Sequence, residues 1–473
     1  MDEKLGDKPY ARRYSVLAAI MLGGIMGPID GSIVNVILPT ITQVFKTHIA
    51  TAQWVPTAYL LTISSLLLFY GRLGDLFGYR KIYLSGLAGF VLASGLCGLS
   101  PTIHWLIAFR VFQGIAAGMM MAVPFAILTA CFPPAERGKA LGINAISIAA
   151  GLAIGPALGG LITYLIGWRF VFLINIPIGI AGLLWGRRVI PELKGQAGKI
   201  DIPGVVTAFI CLFATLLFIY SLQSKNLSYA APGILLIAVL AAICFFLIES
   251  RTAQPLLNLG LFRNATFSFA NFSAMLNFMS QFVMVFLTPF YLQRVLGYAP
   301  NKLGLIMTAF PLAVMAAVSF SGALSDRIGT RLLACLGSAI SALSLFLMAL
   351  LQVSTAPADV VWRLALFGVG TGMFQPPNNS AVMGSVPRPY LGVASGILAT
   401  VRNVGMILGI ASAGAVLYAF APSDILGKSV LEGPDAVAFL SGLKHAYVAG
   451  GFFAAIATFT SLVRRESARR NSQ

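Results

Sequence analysis

Charge is what this 473-residue chain has least of. Only 10% of its residues are Asp, Glu, Lys or Arg and 58% are hydrophobic, whereas soluble domains carry roughly 25% charge. One aqueous core cannot hide that much apolar surface, so a water-soluble fold is excluded and most of the chain must face lipid. Cysteine is sparse too: Cys97, Cys131, Cys211, Cys244 and Cys335 share no short spacing, which excludes a disulfide framework and a zinc site. The three histidines, His48, His104 and His445, have no clustered carboxylates beside them. No metal site, cofactor or catalytic set is therefore expected, and the chain is not expected to be an enzyme. Gly427-Lys428-Ser429 has Pro422 where a nucleotide loop needs its upstream glycine, which removes ATP as its partner. No small-residue cleavage site follows the charged start, so the first hydrophobic run is expected to stay.

What the chain has is hydrophobic runs, each close to the ~20 residues that cross the hydrocarbon of a bilayer. Fourteen are expected, from Tyr14 to Leu38 at the start to His445 to Val463 at the end, giving an all-α membrane protein. The net charge of +17 resolves by position. Counting the N-terminus and alternate loops as one compartment, 22 of the 32 Lys and Arg fall there, among them Arg12, Arg13, Arg80, Arg187 and Arg464. Eight fall in the opposite loops, and Arg110 and Arg402 lie inside runs. The positive-inside rule then makes both termini and the connector around Lys194 cytoplasmic, and the Ser423 to Leu443 loop external. Basic residues that flank helices form no interleaved patch, so nucleic acid is excluded as a partner.

The sequence repeats itself. Gly71-Arg72-Leu73-Gly74-Asp75-Leu76-Phe77-Gly78-Tyr79-Arg80 returns 251 residues later as Gly322-Ala323-Leu324-Ser325-Asp326-Arg327-Ile328-Gly329-Thr330-Arg331, with five positions identical. At an offset of 254, Gly114, Gly118, Gly151, Gly155 and Gly160 pair with Gly368, Gly372, Gly405, Gly409 and Gly414. Two runs, roughly Ile202 to Glu249, belong to neither copy. The expected layout is two six-helix bundles, residues 1–188 and 251–473, separated by a connector and two additional helices in 189–250. Parallel repeats of this kind place a substrate pathway at their interface, near the bilayer midplane.

Polar residues inside runs mark that pathway. Of fifteen acidic side chains only Asp30 lies well inside one, and a charge there costs about 2.5–3.5 kcal/mol on insertion scales. Asp30 and Arg110 are each seven or eight residues from the outer end of their runs, so at 1.5 Å per residue both sit about 10–12 Å below that surface. A permanent salt bridge and a titrating site are both compatible with that depth. Asn35, Gln113, Asn277, Gln281, Gln375, Asn378, Asn379, Arg402 and Asn403 are the remaining candidates to line a substrate cavity. Helix-packing hydrogen bonds account for any one of them alone.

With these motifs in hand, the chain resembles the major facilitator superfamily, in its fourteen-helix branch of drug:proton antiporters. The Gly71 to Lys81 loop is similar to the family signature between its second and third helices, with Leu76 where a basic residue is common. The resemblance implies gating loops at Gly71, Asp75, Gly78 and Arg80 and at Gly322, Asp326, Gly329 and Arg331. Gly151, Gly155, Pro156, Gly159 and Gly160 resemble the helix signature of the family's antiporters. The segments Asp30 to Pro39, Arg110 to Gly114, Trp168 to Pro177 and Asp201 to Gly204 also resemble this branch. What this implies is a proton-coupled exporter of small organic, amphiphilic or cationic compounds, monomeric in the plasma membrane (the bacterial inner membrane), with Asp30 and Arg110 in proton coupling. A symporter or facilitator for a small metabolite and a non-transporting sensor or scaffold are the alternatives.

Overall fold

The structure is a computed structural model, which describes residues 12–133, 136–192, 202–221, 228–252, 259–387, 390–422, 425–426, 428 and 431–463. Among them every regular element is helical. The first part comprises α1 (Arg13–Val44), α2 (Trp54–Phe77), α3 (Tyr79–Gly98), α4 (Ile103–Ala122), α5 (Pro124–Cys131), α6 (Arg137–Leu165) and α7 (Asn175–Val189). Then come α8 (Ile202–Ser221) and α9 (Ala231–Arg251). The last part holds α10 (Ala265–Phe290), α11 (Pro300–Met307), α12 (Ala309–Ile328), α13 (Thr330–Met348), α14 (Pro357–Gly384), α15 (Leu391–Phe420) and α16 (Gly433–Val463). Among the described residues twelve stretches are long and apolar enough to cross a membrane, thirteen if Ile49–Leu67 and Phe69–Phe77, bent by 51°, form one span. The remaining expected run, Val360 to Val382, falls in α14, which is long enough but carries Gln375, two prolines, Asn378 and Asn379 in succession.

The sequence repeat is also a repeat of backbone conformation and packing. α2 ends at Gly78 with φ 93°, and α12 ends at Gly329 with φ 92°, a left-handed geometry that favours glycine and turns the chain directly into the next helix. Gly151 and Gly155 of α6 lie against Ile25 and against Ser32 and Ile29 of α1, while Gly405 and Gly409 of α15 lie against Met275 and Met279 of α10. In each half, small residues let two backbones approach where lipid supplies no hydrophobic drive. Large apolar side chains such as Leu92, Phe125, Leu343 and Phe459 remain exposed, as a surface solvated by acyl chains requires.

The helix ends define two faces. On one, Arg13 of α1 pairs with Glu136 at 2.9 Å, and Arg80 donates to the Arg187 carbonyl at 2.6 Å. On the other, the end of α1 meets the end of α10: Thr40 donates to Gln293 at 3.2 Å, Gln293 to Gln43 at 3.2 Å, and Arg294 to Thr42 at 2.8 Å. A single apolar core lies beneath that second face and runs through both halves, with Ile37 and Leu38 from one and Phe286, Phe290 and Leu417 from the other. The additional helix α8 bridges the halves, its Leu216 in one cluster with Leu61 of α2 and Ile407 and Ala411 of α15. By contrast α9 leaves Leu236, Ile243, Phe246 and Leu247 exposed.

Candidate functional site

Asp30 is fully buried in the middle of α1. Pro28 sits two residues before it inside the helix, where a proline removes one backbone hydrogen bond. Its carboxylate forms an ion pair with Arg110 of α4, which is equally buried. Gln113, one turn from Arg110, accepts from the guanidinium at 2.6 Å and donates to Asp30 at 3.0 Å and to Ser94 of α3 at 2.9 Å. Asn175, at the start of α7, donates to Asp30 at 3.3 Å. Arg110 also donates to the Val55 carbonyl at 3.1 Å, and its guanidinium lies 4.0 Å from the Tyr59 ring centroid. Asp30 therefore accepts from Arg110, Gln113 and Asn175. The two carboxylate oxygens have the lone pairs to accept all three bonds at once.

Between the halves lies a cavity of about 260 Å³. Asn35, Arg110, Gln281, Gln375, Arg402 and Asn403 contribute to its wall. Asp30 stands behind that wall, reached from the cavity through Arg110. Gln113 belongs to the Asp30 network, and Asn277 is fully buried in α10 without lining the cavity. Asn378 donates to the Ala270 carbonyl at 3.0 Å, joining α14 to α10, and Asn379 is exposed. Among the described residues the wall contains no Asp, Glu, Lys or His, and no group of His, Cys, Asp and Glu could hold a metal.

The remaining candidates surround this cavity. On α6, Gly151, Gly155 and Gly159 face α1, whereas Gly160 meets the Pro300 carbonyl and Gly304 of α11, and the Pro156 carbonyl meets Gly304 in turn. One helix thus uses two faces, the first within its half and the second across to the other. At the face bearing Arg13, Asp75 accepts from Tyr79 at 2.6 Å and Arg80 lies 3.5 Å from Glu192. A Cβ on Gly71 or Gly322 would meet nothing within 4 Å. Arg331 lies in the first turn of α13, directly after Thr330. Of Asp326 only the backbone, in α12, is described, and the connector around Lys194 with Asp201 lies outside the described residues.

Residues 20–410, and again 267–470, match the Major Facilitator Superfamily. The chain belongs to that superfamily. It is similar to the riboflavin transporter RibZ of Clostridioides difficile (strain 630), 34% identical over 402 residues that cover 85% of this chain and 87% of that one. It is also similar to the tetracenomycin C resistance and export protein of Streptomyces glaucescens, 30% identical over 411 residues, 86% and 76% of the two chains. Further relatives are named a multidrug transporter and a multidrug resistance protein. A solved bacterial homologue of the lysosomal transporter Spinster, described as inward-facing and occupied, matches with a TM-score of 0.70 and 18% identity over 97% of each chain. That likeness is one of fold. As a superfamily member the protein is a multi-pass membrane transporter of small molecules and not an enzyme.

Several site residues are missing from the sequence reading. Tyr59, Ser94 and Asn175 join the Asp30 network only through tertiary packing, and nothing in their spacing marks them. Arg294 had a signal: an arginine directly after a hydrophobic run, which positional counting assigns to an outer loop. In the structure it is 1% exposed, donating to Thr42 and to the Leu426 carbonyl and lying over the Phe290 ring.

Proposed function

We propose that the protein is a proton-coupled exporter of small organic amphiphiles, built as two six-helix bundles in 1–188 and 251–473 plus α8 and α9. In this reading α14 completes fourteen spans, both termini are cytoplasmic, and the monomer works in the plasma membrane. The observation that carries it is the Asp30–Arg110 pair. A lone carboxylate in the membrane interior is costly unless it is used, and here it adjoins a cavity between two repeats. Support for export comes from the relatives named for resistance and from the double-faced glycine helix α6. The Arg294, Gln293 and Gly160 contacts close the outer face, and open space beside Gly71 and Gly322 fits a cavity accessible from the cytoplasm. In this reading Asp30 gives up its proton before substrate enters, the order that exchange requires. The cationic part of the expected substrate class finds no carboxylate on the cavity wall.

Respiring everted membrane vesicles test the proposal. Small aromatic compounds should release the quench of a pH-sensitive acridine dye only when the protein is present. The relative named as a riboflavin transporter favours a second reading, facilitated passage of a metabolite. Equilibration of the compound across the membrane at a rate unchanged when an uncoupler removes the gradient would select it.

A further inference from the structure

Arg402 is a cation in the middle of a membrane helix, and among the described residues no acid pairs with it. It lies on α15, on the cavity wall, and no described hydrogen bond or ion pair involves its side chain; its Nε is buried without a partner. The ring centroid of Phe278 is 6.0 Å from the guanidinium. The cavity's other cation, Arg110, is neutralised by Asp30. An unpaired guanidinium at this depth costs free energy in the empty protein, and the repeat shows that the fold does not require it. The position related to Arg402 by the 254-residue offset is Ile148, which also lines the cavity. The same wall is thus built with an isoleucine in one half and an arginine in the other.

The rest of the wall gives the shape of the ligand. Tyr59, Phe278, Phe282 and Phe310 supply ring faces and edges, and Met307 and Met406 supply adaptable apolar contact. Gln281, Gln375 and Asn403 add amide donors and acceptors to the same wall. At about 260 Å³ the space lies just below the roughly 300–1,000 Å³ range of drug-sized pockets, enough for one or two fused rings with a short polar substituent.

We propose that this cavity selects a small aromatic anion, with a carboxylate or phosphate-type group on Arg402 and its rings among Tyr59, Phe278, Phe282 and Phe310. The guanidinium offers paired donors to such a group, and charge-assisted bonds in a water-poor site are the strong ones. The proposal rests on the exporter reading and names its substrate class. It also adds to the driving force: exchange of one entering proton for one departing anion moves two charges, each assisted by about 2.3 kcal/mol per 100 mV of inside-negative potential.

Binding to the purified full chain in lipid nanodiscs tests it with three probes of one ring system, 2-naphthoate, 2-naphthalenemethanol and 2-naphthylmethylammonium. Wild type should bind the carboxylate about tenfold or more tighter than the alcohol, and the ammonium weakest. Arg402→Gln should erase the preference for the carboxylate while holding the alcohol within about twofold of wild type, a control for an intact cavity. Arg402→Lys should keep part of the preference. Equal or tighter binding of the ammonium by wild type overturns the proposal without reference to any variant, as does an undiminished carboxylate preference in Arg402→Gln. Since binding is read without a gradient, the two readings fail separately. Carboxylate preference without proton-driven movement of naphthoate counts against export alone; proton-driven movement without the preference counts against the anion site alone.

Discussion

Gly160 and Gly304 face each other across the two halves, so closely that a Cβ built on Gly160 would lie 3.0 Å from the Gly304 Cα and closer still to the Pro300 carbonyl. The contact sits on the face where α1 and α10 also meet. A side chain at either glycine cannot enter without parting α6 from α11. Gly160→Leu should therefore hold that face open. In the exporter account, transport falls at least tenfold while ligand binding changes by less than about threefold, and spin-label distances between α6 and α11 lengthen. Unchanged distances with normal transport would show the approach to be incidental.

Arg294 and Thr42 close the same face by hydrogen bonding. Removing the guanidinium leaves the Leu426 carbonyl and the Thr42 hydroxyl without this donor, a loss of about 1.5–3 kcal/mol for bonds to a charged group. Arg294→Ala is expected to slow disulfide formation between Thr40→Cys and Gln293→Cys, because the closed population decreases. A rate equal to that of the arginine-containing pair would exclude Arg294 as a latch.

Asp75 and Arg80 act at the opposite face, where Asp75 accepts from Tyr79 and Arg80 holds the end of α7 through the Arg187 carbonyl. Neither lines the cavity. Asp75→Asn or Arg80→Ala should lower turnover several-fold and leave the affinity for a bound ligand within about threefold, as expected of groups that bias a conformational equilibrium. Loss of affinity in a folded protein would remove the gating role.

The buried pair itself predicts a stability pattern. Arg110→Met leaves the Asp30 carboxylate without its countercharge, a change worth about 3–5 kcal/mol in a buried ion pair. Adding Asp30→Asn should restore much of that loss, because the uncompensated charge is gone. Thermal unfolding of the two single variants and the double variant in nanodiscs measures it, and strictly additive losses would contradict a coupled pair.

Much of this was legible in the sequence, because the features concerned are local or repeated. The membrane helices follow from hydropathy, and the left-handed turns at Gly78 and Gly329 sit at matched positions of the repeated loop. Asp30 and Arg110 are rare charges within apolar runs, and counting residues along two helices places them at one depth. Packing decided the rest. Gln113, Asn277, Asn378 and Asn379 share the composition of the cavity residues, yet helix rotation turns Gln113 to Asp30, Asn378 to the α10 backbone and Asn379 to the exterior. Ser94, Asn175 and Tyr59 come from three further helices, so no one-dimensional spacing relates them to Asp30. Arg294 shows a limit of charge counting: a cation at the end of a run can be a buried tie between halves instead of a solvated flank.

The central claim is that Asp30 exchanges a proton against substrate, and the direct measurement is proton release when ligand is added to purified protein. With 2-naphthoate as ligand in weakly buffered nanodiscs across a range of pH, binding should select the conformation in which Asp30 accepts from Arg110, Gln113 and Asn175, and on this account its proton leaves. Wild type is therefore predicted to release protons on addition of ligand, and Asp30→Asn, which still binds, to release none. Proton uptake by wild type would make the transporter a symporter. Undiminished release by Asp30→Asn would leave the Asp30–Arg110 pair as a structural salt bridge and move the coupling site elsewhere.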